Sequence, residues 1–253
     1  MNFHAFQFGQ LALARLRTYY REPGSVFWTF ASPVLLALVL GLAFRDVGSG
    51  SGRDEDYVHF LIPGLIGMGL MTSGLWGVGY SVADLRIRKL VKRMVATPMH
   101  KSAFLFSFVV VRALVMLLEL PILLVFGVLV FDLPVRGSLV LLVAVTALGA
   151  LVFAGIGLLV AARVRSLQTV SGLLSSATMP MYLGSGVFFP STRYPEVLQP
   201  LLELLPLTTV NDVLRAVVIE GAGPSAIAGG VAVMLAWVVG SFTVATLIFR
   251  WSG

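Results

Sequence analysis

Apolar residues in this chain come in long blocks with no polar face. Six stand out, over residues 26–44, 57–82, 103–131, 138–162, 167–189 and 226–249. Each is long enough to cross a bilayer as a helix, which takes about 20 apolar residues. Helices are required, because lipid offers no partner to open backbone groups. A barrel strand would alternate apolar with polar residues, and these blocks do not alternate. The pattern predicts an all-α membrane protein with six transmembrane helices packed as a single domain over residues 1–253.

The polar connections carry the orientation. Twelve basic residues fall on one side, in the N-terminal tail (Arg15, Arg17, Arg21), the second connection (Arg86, Arg88, Lys89, Lys92, Arg93, Lys101), the fourth (Arg163, Arg165) and the C-terminus (Arg250). The other side has five, Arg45, Arg53, Arg136, Arg193 and Arg215, together with most of the acidic residues. Short cytoplasmic loops collect Lys and Arg. Six crossings with both termini in the cytoplasm of a cell (inner) membrane fit this asymmetry. The N-terminus does not read as a cleavable signal, since Gln7, Gln10, Arg15 and Arg17 interrupt any apolar core.

Composition agrees. Only 12% of the residues are charged, against about 25% in soluble domains, and mean hydropathy is +0.94. The excess of six positive charges is accounted for by orientation and requires no nucleic acid. There is no cysteine, which removes disulfides, thiolate metal sites and a cysteine nucleophile. The three histidines, His4, His59 and His100, are far apart, so no histidine metal cluster is expected.

Three connecting segments hold more than charge. The N-terminal stretch, as a helix, puts Phe6, Leu13, Leu16 and Tyr20 on one face and Gln10, Arg17 and Arg21 on the next, the pattern of an interfacial amphipathic helix or a simple basic anchor. Residues 84–94 place Ile87, Leu90, Val91 and Met94 at helical spacing with Arg86, Lys89 and Arg93 together and Arg88 and Lys92 beside them. This is a short cytoplasmic helix, either an orientation signal against headgroups or a docking surface for a cytoplasmic partner. Between Pro190 and Pro224, two short apolar helical runs meet at Pro206. They predict an outer re-entrant helical hairpin between spans five and six, or a pair of helices lying flat.

Glu119 is the conspicuous residue inside a span. A carboxylate in lipid is costly unless paired or facing a cavity. Arg112 lies seven positions earlier on the same side of the helix and Pro121 follows. Glu119 is therefore either a substrate-path or gating residue or a structural partner of Arg112. Gly69, Ser73 and Gly77 form a stripe of small residues at a spacing of four, read as a close helix contact. There is no G-x-x-x-x-G-K-[ST] loop, no H-E-x-x-H and no G-x-S-x-G, so no ATPase or hydrolase site is expected on this chain.

Taken together, these segments resemble the ABC-2 type transporter permeases, and the similarity covers nearly the whole chain. It rests on Arg21-Glu22-Pro23 with Phe27-Trp28 and Pro33, on Val95-Ala96-Thr97-Pro98 at the end of the linker, and most specifically on Ser185-Gly186-Val187-Phe188-Phe189-Pro190, then Pro195, Leu205-Pro206-Leu207 and Arg215. The resemblance implies a membrane-spanning subunit of an ATP-driven (ABC) exporter of the drug- or lipid-type branch, working as a homodimer beneath which two copies of an ABC ATPase subunit sit. ATP and Mg would be held by that partner, and no cofactor by this chain. The N-terminal helix, with Arg17 and Arg21, and the linker, as a coupling helix, would contact the ATPase. The hairpin would shape the outer exit, which makes Phe188, Phe189 and Arg215 path or gating candidates beside Glu119. The alternative is an ion-gradient-driven secondary transporter with Glu119 as its ion-linked group. An intramembrane enzyme acting on lipid lacks a set of acid, base and nucleophile within the spans.

Overall fold

The computed structural model describes residues 3–44, 57–89 and 101–248. Among them the chain is helical and has no strand. The helices are α1 (Phe3–Tyr20), α2 (Pro23–Ala43), α3 (Tyr57–Ile87), α4 (Lys101–Phe131), α5 (Leu139–Ala161), α6 (Leu167–Gly184), α7 (Gln199–Glu203), α8 (Pro206–Val218) and α9 (Ala228–Ile248). Proline stands in the first turn of α2, α7 and α8, where its missing N–H costs nothing and its fixed φ suits a helix. Ser166 caps α6 by accepting the Thr169 N–H at 3.1 Å.

Five helical stretches are long and apolar enough to cross a membrane: Val26–Ala43, Tyr57–Ile87, Ser107–Phe131, Leu139–Ala161 and Ala228–Ile248. The expected fifth crossing over residues 167–189 is shorter. Its helix, α6, has 18 residues, about 27 Å of rise against a hydrocarbon core of about 30 Å. Gln168, Ser171, Ser175, Ser176 and Thr178 dilute its apolar character. It ends at Gly184, after which Gly186 takes φ +68 and turns the chain.

α3 is the axis of the bundle and packs on α2, α4, α5 and α8. Leu61, Ile62, Leu65, Leu70, Met71 and Leu75 of α3 form the core with Leu123, Leu142, Phe153 and Leu207. Over Ser73–Tyr80 this helix is π-helical, a widened turn that marks functional or tightly packed places in helices. Here the packing is visible. A Cβ on Gly79 would stand 2.8 Å from both the Cα and the carbonyl oxygen of Gly157 on α5, and one on Gly74 would press on the backbone of Phe153. Two helical backbones meet directly at this crossing.

Two expected elements differ in extent. Residues 84–87 do not begin a separate linker helix. They finish α3, and the chain breaks at Arg88 and at Lys89, which has φ +59. The rest of that segment, with Lys92, Arg93 and the Val95–Pro98 motif, lies outside the described residues, as does the glycine–serine stretch over 48–52. In the hairpin segment, the first run is reduced to the five residues of α7, whose neighbours Val197 and Leu204 are exposed. The second run is the 13-residue α8. It buries Leu207, Val210, Leu214, Val217 and Val218 against α3 and α5.

Candidate functional site

Two charged residues of α4, Glu119 and Arg112, occupy recesses in α3. Glu119 is 4% exposed, and neither carboxylate oxygen has a hydrogen-bond partner among the described residues. It lies over Gly69, whose Cβ, if present, would stand 2.7 Å from Oε1. Arg112 lies over Gly77, where a Cβ would meet Nε at 2.6 Å. Ser73 sits between them on α3, its hydroxyl buried and also without a partner among the described residues. The Gly69–Ser73–Gly77 stripe is thus not a plain helix contact but the seat of two charged side chains. Glu119 and Arg112 form no ion pair. The guanidinium instead faces the Tyr19 ring, 5.1 Å from its centroid, and lies within electrostatic reach of Glu22.

Both residues open on one cleft of about 430 Å³ between α2, α3 and α4. Its walls are aromatic (Tyr19, Trp28, Trp76), thioether (Met68, Met116) and hydroxylic (Thr29, Ser32, Thr72, Ser73), and its charged groups are Glu22, Arg112 and Glu119. A second cleft of about 410 Å³ adjoins it toward α1 and shares Tyr19, Glu22, Gly77 and Arg112. Arg112 therefore stands at the junction of the two. Volumes of about 300–1,000 Å³ with a few polar groups in an apolar lining are those of small-molecule sites.

At the other end of α3, Phe189 joins Tyr57 and Phe44, with ring centroids 6.3 and 6.5 Å away, and Arg193 lies 5.7 Å from its ring. Phe188 packs against the core. Arg215 is an internal brace: it donates to the carbonyls of Gly186 and, at 3.3 Å, Phe60, and lies 3.7 Å over the Phe60 ring. It fixes the loop after α6 to α3 and α8. Asn211 adds a second tie, donating to the Ser185 carbonyl at 2.8 Å.

At the Arg86 end the basic residues divide. Arg86 donates to the carbonyls of Ala162 and Val164 just past α5, a cation satisfying a helix C-terminus. Arg88 is paired with Asp84 at 2.7 Å and exposed, and Lys89 is exposed beside it. Arg17 and Arg21 are also exposed. Arg15 is not. It donates to the Ser107 hydroxyl at 2.8 Å and lies 3.1 Å over the Phe108 ring, and burial lowers its pKa to about 10. It docks α1 on α4.

The geometry brings together Glu119, Arg112 and the small stripe, and separately Phe188, Phe189 and Arg215. It leaves Arg17, Arg21, Arg88 and Lys89 as an exposed set. Sequence spacing missed Trp28, Trp76 and Tyr19 around Glu119, and Phe44 and Tyr57 around Phe189. None of these stands near its neighbour in the chain. Of these, the sequence marks only Trp28, in its Phe27-Trp28 motif; for Tyr19, Tyr57 and Trp76 the one signal is the preference of Tyr and Trp for membrane interfaces.

The sequence matches the ABC-2 type transporter family over residues 6–219. Over 170 residues, 67% of this chain, it is 22% identical to a protein of Dictyostelium discoideum, ABC transporter G family member 20. The matched part is 23% of that relative's length. With membrane-length helices through the matched region, the chain is a membrane protein, and it belongs to the ABC-2 type transporter family, the membrane component of ABC transporters.

Proposed function

We propose that this chain is the membrane-spanning subunit of an ATP-driven exporter for a drug, lipid or other amphipathic substrate. It works as a homodimer with two ABC ATPase subunits, which carry ATP and Mg, and it hydrolyses no ATP itself. The observation that carries this reading is the family match over residues 6–219. In it the chain crosses the cell membrane six times, with α6 as the fifth crossing and both termini cytoplasmic. The α7–α8 segment is the re-entrant hairpin on the outer side.

The mechanism follows the fold. Arg17, Arg21, Arg88, Lys89, Lys92 and Arg93 meet the ATPase. Arg15 and Arg86 are braced within the chain, so a push on these segments reaches α4 directly and α3 and α5 together. α3 is continuous from Tyr57 to Ile87, so its inner end moves with the outer aromatic group of Phe44, Tyr57 and Phe189. Phe188, Phe189 and Arg215 gate the exit, and Glu119 lies on the substrate path.

The test is transport in inverted membrane vesicles holding this chain and its ATPase partner. Uptake should require ATP hydrolysis by the partner and survive collapse of the proton gradient. Uptake that persists with an ATPase-dead partner and stops on collapse of the gradient would establish the ion-driven carrier instead.

A further inference from the structure

We infer that the cleft between α2, α3 and α4 is a binding site for a lipophilic organic monocation, with Glu119 as its counter-charge and Trp28, Trp76 and Tyr19 as its aromatic walls. This builds on Glu119 lying on the export path and names the substrate class that path accepts.

The inference starts from charge. Three charged groups line the cleft: Glu22, Arg112 and Glu119. Arg112 is within electrostatic reach of Glu22 and faces the Tyr19 ring, so its charge is answered. Glu119 is as buried as a core leucine, yet both its oxygens lack a hydrogen-bond partner among the described residues. An ionised carboxylate there calls for one positive charge. Arg112 cannot supply it from two turns away, because it is seated over Gly77 while Glu119 is seated over Gly69.

The walls then select the kind of cation. Aromatic faces attract cations through the ring quadrupole, tryptophan most strongly. The cleft has two tryptophans and a tyrosine, and the sulfurs of Met68 and Met116 add soft, polarisable surface. Trp28 is 60% exposed and stands at the rim. A small inorganic cation would want several oxygen ligands, and Glu119 with scattered hydroxyls is a poor set. A bulky, weakly hydrated organic cation loses less on leaving water and fills about 430 Å³. An anionic amphipath of the same size would meet the Glu119 carboxylate unscreened.

The test is direct binding to this chain in phosphatidylcholine nanodiscs, without ATP. The probes are tetraphenylphosphonium and tetraphenylborate, which match in shape and differ in sign. The expected result is saturable binding of tetraphenylphosphonium and none of tetraphenylborate. Glu119→Gln should weaken the cation by about tenfold or more, as loss of a buried opposite charge requires. Should Glu119→Gln fail to fold, Trp28→Ala decides, since its rim position leaves the fold intact. It should weaken tetraphenylphosphonium about three- to tenfold through the lost cation–π contact. Saturable binding of both ions, binding of neither, or cation affinity unchanged in a folded variant would overturn the inference. Because no ATPase is present, that failure is distinct from failure of the exporter reading, which the vesicle assay decides.

Discussion

The contact of α3 with α5 sets a sharp test of the packing. Alanine at Gly79 puts its Cβ 2.8 Å from the Cα and carbonyl oxygen of Gly157 and 3.0 Å from its carbonyl carbon. Carbon atoms pack comfortably at about 3.5–4.0 Å. The overlap is with backbone, which cannot swing aside as a side chain can, so the two helices must part. Overpacking of this kind costs about 1–3 kcal/mol. Against it, alanine recovers up to about 1 kcal/mol of helix propensity over glycine. Gly172 on α6 supplies the matched control, because a Cβ there meets nothing within 4 Å and only the propensity gain remains. The difference between Gly79→Ala and Gly172→Ala isolates the clash, at about 1–3 kcal/mol. The assay is unfolding by SDS in mixed micelles of fixed composition, followed by loss of helical circular dichroism. If Gly79→Ala unfolds at the same SDS fraction as Gly172→Ala, or later, the helices do not meet backbone to backbone and the account of the π-helical segment is wrong.

Three further outcomes are expected. Arg215→Lys keeps the charge but cannot reach the Gly186 and Phe60 carbonyls together, and should lower stability by about 1–3 kcal/mol in the same SDS titration; an unchanged midpoint would show that the brace is not needed. Arg17→Glu with Arg21→Glu alters only exposed positions and should leave stability within about 0.5 kcal/mol while separating ATP hydrolysis from transport in the assembled complex, whereas Arg15→Gln should loosen α1 and expose it to protease. Because the chain has no cysteine, Val197→Cys should react with an impermeant maleimide on intact cells and Arg163→Cys only after permeabilisation; the reverse order would invert the topology.

The membrane-length helices were legible because lipid imposes one rule on every residue of a span. The 26–44, 103–131 and 138–162 blocks end within a few residues of their helices. The block at 167–189 was over-long because apolar content continues through Val187, Phe188 and Phe189, while the helix stops where Gly186 allows a left-handed turn. The linker at 84–94 departs from expectation at its start for a related reason. Amphipathic spacing looks the same in a separate helix and in the last turn of a long one. In the fold Arg86, in that last turn, is tied to the end of α5, a tertiary contact that no local pattern encodes. Arg215 was legible as a specific residue but not as a brace, since its acceptors are main-chain carbonyls 29 and 155 positions away.

The pair in α4 shows how far spacing along one helix can mislead. Seven residues put Arg112 and Glu119 on the same side but about 10.5 Å apart along the axis, beyond direct contact unless both side chains bend toward each other. The neighbouring helix prevents that. Glycine at 69 and at 77 gives each side chain its own seat, one under Glu119 and one under Arg112. Bulk at either glycine would push its charged neighbour out of its recess. Ser73, the middle residue of the stripe, leaves the space between them polar rather than filled. Neutral packing alone at this interface does not call for two charges held apart in separate recesses of one helix. A structural ion pair would have drawn them together. Separated charges with an open cleft between them, one answered from α1 and its junction with α2 and the other unanswered, are the arrangement of a site that waits for a cation from outside the chain.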